Sequence, residues 1–451
     1  MTSSAPSSSN EFISFQAAES LSLQNHPSVR LAQEEAAVAE TKRKESRRAL
    51  FPSLTAKAED TEGDAVDTLG TPAFTERSYG VEASQALYAG GKLYNTYKQA
   101  LSTWESLKAK QVKTQSDVLY GVREAAWNLI KSENLLKVYR KAKDDLENEK
   151  RMAEQLRSKD VITHEAYLQI LSQYNQAIAA VESAEADKEA HVWQWTAALG
   201  LQTPPAFRPD LGPISASNDS WTLPECLQWA SLQHPDLIIQ KKTAEAAYYG
   251  HNAARSVYKP IISLNGFYGR SGGAFHSEPL KLSEDWQAGV QISQYFSLST
   301  LNLSGFDQHT SPKIGQSTRT ASKTATANVG ILDAYRKKAE AQEATLAYHQ
   351  ADVQRLRTEM DVANGVREAY ANWKKAIARL KMAENDCPLA QASYSIAKIK
   401  SAHREVPLSE RAIARNRLAQ AEAGLDEAKA NYQIAVAALA HAVGATDRFY
   451  K

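Results

Sequence analysis

The sequence predicts a mainly helical chain, built twice from one unit, whose strands are patterned for a membrane β-barrel. The unit reads helix, strand, strand, very long helix, return helix. The first observation behind this is a repeat. Gly121-Val122-Arg123-Glu124-Ala125 returns as Gly365-Val366-Arg367-Glu368-Ala369, an offset of 365 − 121 = 244, and Leu199-Gly200 answers Val443-Gly444 at the same distance. His26-Pro27 matches His234-Pro235, and Pro52 matches Pro260, at 208, while Ser84-Gln85 matches Ser293-Gln294 at 209. One duplicated unit with an insertion in its second copy accounts for all three offsets. The other two observations are a long Ala/Leu/Lys/Glu/Gln run in each half and short stretches of period two.

Composition narrows the function classes. The chain has 451 residues and a formal net charge of +1, without the basic excess of nucleic-acid binders. No run approaches the ~18 apolar residues of a transmembrane helix, which leaves a barrel open because alternating strands average out in hydropathy. Cys226 and Cys387 sit at non-equivalent points of the two halves and read as free thiols in helices. The N-terminal segment 1–10 is polar, low in complexity and predicted disordered. It lacks the basic and apolar regions of a signal peptide, so the chain is either cytosolic or a mature form whose signal has been removed.

The first repeat is predicted over 11–202. Helical spacing runs from Glu11 to Leu50, with a kink or break at Asn25-His26-Pro27, and Pro52 ends it. Leu54, Ala56 and Ala58 then alternate with polar residues, predicting a strand at about 53–60. A loop rich in Gly, Asp and Thr precedes a second strand at about 78–88, with Tyr79, Val81, Ala83 and Leu87 on its apolar side. Strands of this length suit a tilted bilayer crossing, although a soluble hairpin with one wet face shows the same pattern. Phe51, Tyr79, Tyr88, Tyr94 and Tyr97 cluster at the strand ends, as in interfacial belts. The long helix is predicted at about 91–158, roughly 100 Å, and the return helix at about 163–199.

A Pro-rich linker at 203–223 leads to the second repeat, 224–444, followed by a tail at 445–451. Strands are predicted at about 261–270 and 286–297. In the latter, Trp286, Ala288, Val290, Ile292 and Phe296 share one face, and Gln287, Gly289, Gln291, Ser293 and Tyr295 the other. The polar face suggests a water-filled lumen. The Ser/Thr-rich insertion at about 297–330 is predicted to wrap around the strand-to-helix junction. A second long helix at about 331–401 and a return helix at about 408–443 complete the chain.

Several short motifs combine into a family pattern. Asn25-His26-Pro27 and Gln233-His234-Pro235, Phe51-Pro52 and Lys259-Pro260, the step from Gln85 through Leu87 and Tyr88 to Gly90-Gly91, and the endings Leu199-Gly200 and Val443-Gly444 together resemble the TolC family of outer-membrane channel proteins. The resemblance spans about 12–444. It implies a homotrimer in which each copy gives four strands to one twelve-stranded outer-membrane barrel, continued by a periplasmic α-helical barrel. It further implies contact with outer-membrane lipid, a periplasmic adaptor protein and an inner-membrane transporter, with no cofactor, no nucleic acid and no enzymatic chemistry. The strands ask for something similar: four strands cannot close a barrel, and lipid tolerates no open sheet edge, so at least two copies must share one.

The family's helix tips carry a Gly followed three residues later by Ser or Thr. The equivalents here are Lys159 and His403, then Ile162 and Val406. Its pore-narrowing aspartates correspond to Ser409 and Ala412. Candidate residues for pore constriction and adaptor docking at the tips are therefore Lys159, Asp160, Glu165, His403, Arg404, Glu405, Ser409, Glu410 and Arg411. Candidate lipid-facing residues are Tyr79, Val81, Ala83, Leu87, Trp286, Ala288, Val290, Ile292 and Phe296. The histidines His164, His191, His251, His309, His349 and His441 lack partners at metal or triad spacing. A passive exit duct for small-molecule efflux is the leading reading. Type I protein secretion is the alternative within the same duct, and a soluble coiled-coil scaffold is the remote one.

Overall fold

The computed structural model describes residues 12–64, 73–210, 221–296, 298–311, 318–403 and 405–444. The expected disordered segment 1–10, the loop core 65–72, the linker stretch 211–220, part of the insertion, Arg404 and the tail lie outside the described residues. The chain forms eight helices among these: α1 Phe15–Asn25, α2 Pro27–Arg48, α3 Lys92–Arg157, α4 His164–Ala198, α5 Leu223–Gln233, α6 Pro235–Arg255, α7 Tyr335–Ala402 and α8 Leu408–Val443. None is long and apolar enough to cross a membrane. The strands are β1 Phe12–Ser14, β2 Ser53–Asp64, β3 Ala73–Ala89, β4 Arg208–Asp210, β5 Ile261–Phe275, β6 Ser283–Phe296, β7 Ser299–Thr310 and β8 Thr320–Gly330.

The chain packs as two compact units. The unit of residues 12–34, 109–238 and 358–444 is helical apart from the parallel pair β1–β4, with Phe12 opposite Arg208. The sequence reading missed that pair because three-residue strands have no readable period. Here the repeated pentapeptides gain their reason. Val122 and Val366 are both fully buried, one in a core with Leu129, Trp195 and Leu199, the other in a core with Trp373, Tyr432 and Leu439. Arg123 reaches Glu19 at 2.6 Å.

The His-Pro motifs are helix junctions. The chain leaves α1 at Asn25 and enters α2 at Pro27; it leaves α5 at Gln233 and enters α6 at Pro235. Proline at the first helical position lacks the N–H that would go unpaired there. The histidine before it caps the new helix: Ser28 N–H donates to His26 Nδ1 at 3.3 Å, and Asp236 N–H to His234 Nδ1 at 3.2 Å. Burial holds the His234 pKa below its ordinary value, which keeps Nδ1 free to accept. The repeat-ending glycines meet these junctions. Gly200 and Gly444 both have φ +70°, and a Cβ at Gly200 would stand 2.9 Å from the His26 backbone. One at Gly444 would stand 2.9 Å from Pro235 Cδ.

In the second unit, residues 35–108 and 239–357, the sheet has six antiparallel strands in the order β2-β3-β5-β6-β7-β8. Two expectations are corrected here. The sheet carries six strands rather than four, and the expected wrap at 297–330 is instead the hairpin β7–β8, continuous with β6. In β8 the period was masked because the apolar side is mostly alanine and the polar side threonine and serine. The strands β2, β3, β5 and β6 also begin or end beyond their predicted bounds. At the strand-to-helix step, Gly90 and Gly91 adopt φ +61° and +88°. A Cβ at Gly90 would lie 2.7 Å from Lys259 Cβ.

Candidate functional site

The register of the sheet sorts its side chains onto two faces. One face reads, strand by strand, Leu54, Ala56 and Ala58; Tyr79, Val81 and Ala83; Ile262, Leu264, Gly266 and Tyr268; Trp286, Ala288, Val290 and Ile292; Leu301, Leu303 and Gly305; Ala325, Ala327 and Val329. Phe296 lies on it too, opposite Ser299 at the end of β6. Leu54, Tyr268 and Val329 stay 68%, 64% and 67% exposed, so no described residue covers them. Soluble monomers rarely leave so wide an apolar surface open. Leu87 departs from its predicted place. A bulge between Ala86 and Tyr88 makes it the extra residue, and Tyr88 stands opposite Ile262 instead.

The opposite face is polar. One row across it holds Thr55, Glu82, Phe267, Gln287, Gln308 and Ser322. Ser84 donates to Asn265 at 2.7 Å, Ser271 to Asp285 at 2.6 Å and Gln308 to Ser322 at 3.0 Å, and Ser304 and Thr326 share a hydrogen bond. A hollow of about 640 Å³ opens on this side, lined by Lys57, Glu59, Glu82, Asn265, Asp285 and Phe267 among others. The Phe267 ring lies across Gly80 and Gly269, and Phe306 lies across Gly289, where any Cβ would collide with the ring. Aromatic rings thus fill gaps that glycine leaves in the sheet.

The helix tips lie in the helical unit. Lys159, Asp160 and Glu165 are exposed, as are His403, Glu405 and Glu410. The α3–α4 turn closes as a Schellman motif: Val161 N–H donates to Leu156 O and Asp160 N–H to Arg157 O, both at 2.9 Å. Its left-handed residue is Asp160, φ +54°, one position after Lys159, where the family resemblance sets the glycine. Asp tolerates that conformation better than most residues. Thr163 then caps α4 by accepting from Ala166 N–H at 3.2 Å. The second tip makes a matching bond, Glu405 N–H to Lys400 O at 2.9 Å.

Two tip candidates are not exposed. Ser409 is buried beside the fully buried Ala412 in the packing of α8 against α3 and α4, because its position falls on the apolar stripe with Leu408 and Ala412. Arg411 is mostly buried and donates to Glu149 Oε1 at 2.8 Å. One turn on, the wholly buried Arg415 donates from Nε to Asp145 Oδ2 at 2.6 Å, with Glu422 at 3.9 Å and the Tyr394 ring at 5.8 Å. Burial pushes the Glu149 carboxyl up despite the facing Arg411, and burial likewise raises Tyr394. Sequence reasoning missed this network. Its signal was two charge pairs at spacing four, Asp145/Glu149 and Arg411/Arg415, the second set among Ala412, Leu418 and Ala419 on a buried stripe.

Among the described residues, no group of His, Cys, Asp and Glu could hold a metal ion. Cys226 and Cys387 are free thiols, the first buried. No curated protein sequence matches the chain. Solved structures do match in fold. The outer-membrane channel OprN is 16% identical with a TM-score of 0.75, over 98% of this chain and 94% of its own. The outer-membrane protein VceC of Vibrio cholerae is 14% identical at 0.75, over 95% and 96%. The CmeC outer-membrane channel of Campylobacter jejuni is 15% identical at 0.73, over 96% and 85%. The family model for outer membrane efflux proteins matches residues 19–201 and 226–445. With that match covering both halves, this chain belongs to the outer membrane efflux protein family, the TolC-type channels.

Proposed function

We propose that the chain is the exit duct of a tripartite efflux system, resident in the outer membrane and extending into the periplasm. Three copies share one barrel, and the duct passively conducts small molecules delivered by an inner-membrane transporter through a periplasmic adaptor. The observation that carries this is the sheet: a broad apolar face opposite a polar, hydrogen-bonded one, ending at two strand edges that are unpaired among the described residues. Apolar outward and polar inward is the pattern of a membrane barrel around water. Bare edges in lipid would cost several kcal/mol per unpaired group, so the barrel must close through further copies. We take efflux as the leading reading because the family is described by it, and type I protein secretion through the same duct is the alternative. In this reading Tyr79, Val81, Ala83, Trp286, Ala288, Val290, Ile292 and Phe296 meet lipid. Lys159, Asp160, Glu165, His403, Arg404, Glu405 and Glu410 meet the adaptor.

Cysteine accessibility on intact cells tests this. In a background lacking Cys226 and Cys387, Ser277→Cys in the exposed β5–β6 turn should react with a membrane-impermeant maleimide. Glu165→Cys should react only after the outer membrane is permeabilised. Equal labelling of both on intact cells, or recovery of the chain in the soluble fraction, contradicts the proposal.

A further inference from the structure

The hairpin β7–β8 changes which edges the sheet presents. Had β6 been the last strand, its edge would face the next copy; in this chain the free edges belong to β2 and β8. We propose that β8 pairs antiparallel with β2 of a second copy, so that each copy supplies six strands to the closed barrel, and three copies supply eighteen. The number of copies rests on the function proposed above; the pairing does not.

Four observations carry the inference. Strand direction alternates along the sheet, and with an even count β8 runs opposite to β2, so the new seam stays antiparallel like every other. The apolar faces must be continuous across the seam, which allows only registers that set Ala325, Ala327 and Val329 against Leu54, Ala56 and Ala58 or their same-face neighbours.

Charge then selects among those registers. Lys323 lies 330 − 323 = 7 residues from the end of β8, and Asp60 lies 60 − 53 = 7 residues from the start of β2, both on the apolar face. Aligning the strand ends places Lys323 of one copy opposite Asp60 of the next. Lys323 already faces Asp307 at 3.6 Å, and Asp60 faces Arg77 at 2.9 Å. The seam therefore completes a row of alternating sign, Asp307, Lys323, Asp60, Arg77, in which every charge bordering the lipid has an opposite neighbour on each inner side.

Stagger gives the fourth. The row that starts at Leu54 passes through Ala83, Gly266, Ala288 and Asp307 to Lys323. If Lys323 meets Asp60, the row advances six residues for six strands, about 20 Å along against about 28 Å across, a tilt of about 35°. Closed barrels tilt by ~35–45°. A register two residues shorter sets Lys323 against Ala58 and tilts only about 25°. One two residues longer sets it against Glu62, still a carboxylate, but offsets the strand ends.

Inter-copy disulfides test the seam in the full-length membrane protein, again without Cys226 and Cys387. Ala58 and Ala325 lie on opposite edges of one copy, so a disulfide between A58C and A325C joins two copies. Oxidation should convert monomer bands into covalent dimers and trimers for A58C/A325C or for K57C/T326C, the adjacent pair, run alongside because neighbouring pairs alternate in hydrogen-bonding class. A58C/A288C, the pair that would meet at the same tilt if β6 were the closing strand, should stay uncrosslinked. Crosslinking of A58C/A288C, or of neither type in an intact trimer, overturns the six-strand seam while leaving the duct standing. Absence of any oligomer by mass before oxidation overturns both.

Discussion

A single charge on the apolar face separates a membrane barrel from a soluble sheet. Val290 lies 296 − 290 = 6 residues from the end of β6. At a tilt near 35° those six residues rise about 16 Å, well inside an apolar band ~25 Å tall. A carboxylate there costs about 2 kcal/mol, and the lost valine burial about 1.5 kcal/mol more. Three copies make the total about 10 kcal/mol per trimer. Gln291 is the next residue on the same strand and faces the polar side, so Gln291→Asp controls for strand propensity and net charge. Quantifying trimer extracted from purified outer membranes should show Val290→Asp reduced at least tenfold and Gln291→Asp near wild type. Equal recovery of the two variants would refute the assignment of faces and the barrel with it.

Further outcomes follow from the helical unit. Asp160→Gly relieves a left-handed backbone and should raise stability by about 0.5–1 kcal/mol, read as a higher Tm of the purified protein. Gly200→Ala does the reverse: φ +70° and the His26 backbone 2.9 Å away should cost about 2 kcal/mol or more. Arg415→Ala leaves Asp145 without its partner and should cost about 3 kcal/mol, whereas Arg415→Met with Asp145→Leu should recover most of that, by thermal unfolding of all three proteins. His234 has a folded pKa depressed below its ordinary 6.5, so its contribution is present above that value and is lost as pH falls through the lower folded pKa. Tm should therefore drop more steeply below about pH 6 in the wild type than in His234→Asn, which caps without titrating. Burial pushes the Cys226 thiol up to about 11, so iodoacetamide at pH 8 should alkylate the half-buried Cys387 first, as peptide mapping would record.

The long helices were legible because composition and period agree over many turns. α3 spans Lys92–Arg157 against an expected 91–158, and α8 matches 408–443. Pro388 lies inside α7 without ending it. The junction motifs were visible as letters, yet only the fold brings Gly200 onto His26 and Gly444 onto Pro235. Two features were hidden for physical reasons. Alanine and threonine differ too little in polarity for β8 to announce a period of two, so its hairpin read as a wrap. The ion pairs of Asp145 and Glu149 with Arg415 and Arg411 join residues more than 260 positions apart, beyond any local pattern. Leu87 fell on the wrong side of a count because one bulge shifts parity for everything after it.

The most direct measurement of the central claim is single-channel conductance in a planar lipid bilayer, using detergent-extracted oligomer of measured mass. A conducting duct should give discrete, long-lived current steps from a particle of three 49.6 kDa chains. A monomer or dimer that stays soluble without detergent and passes no current would contradict the account.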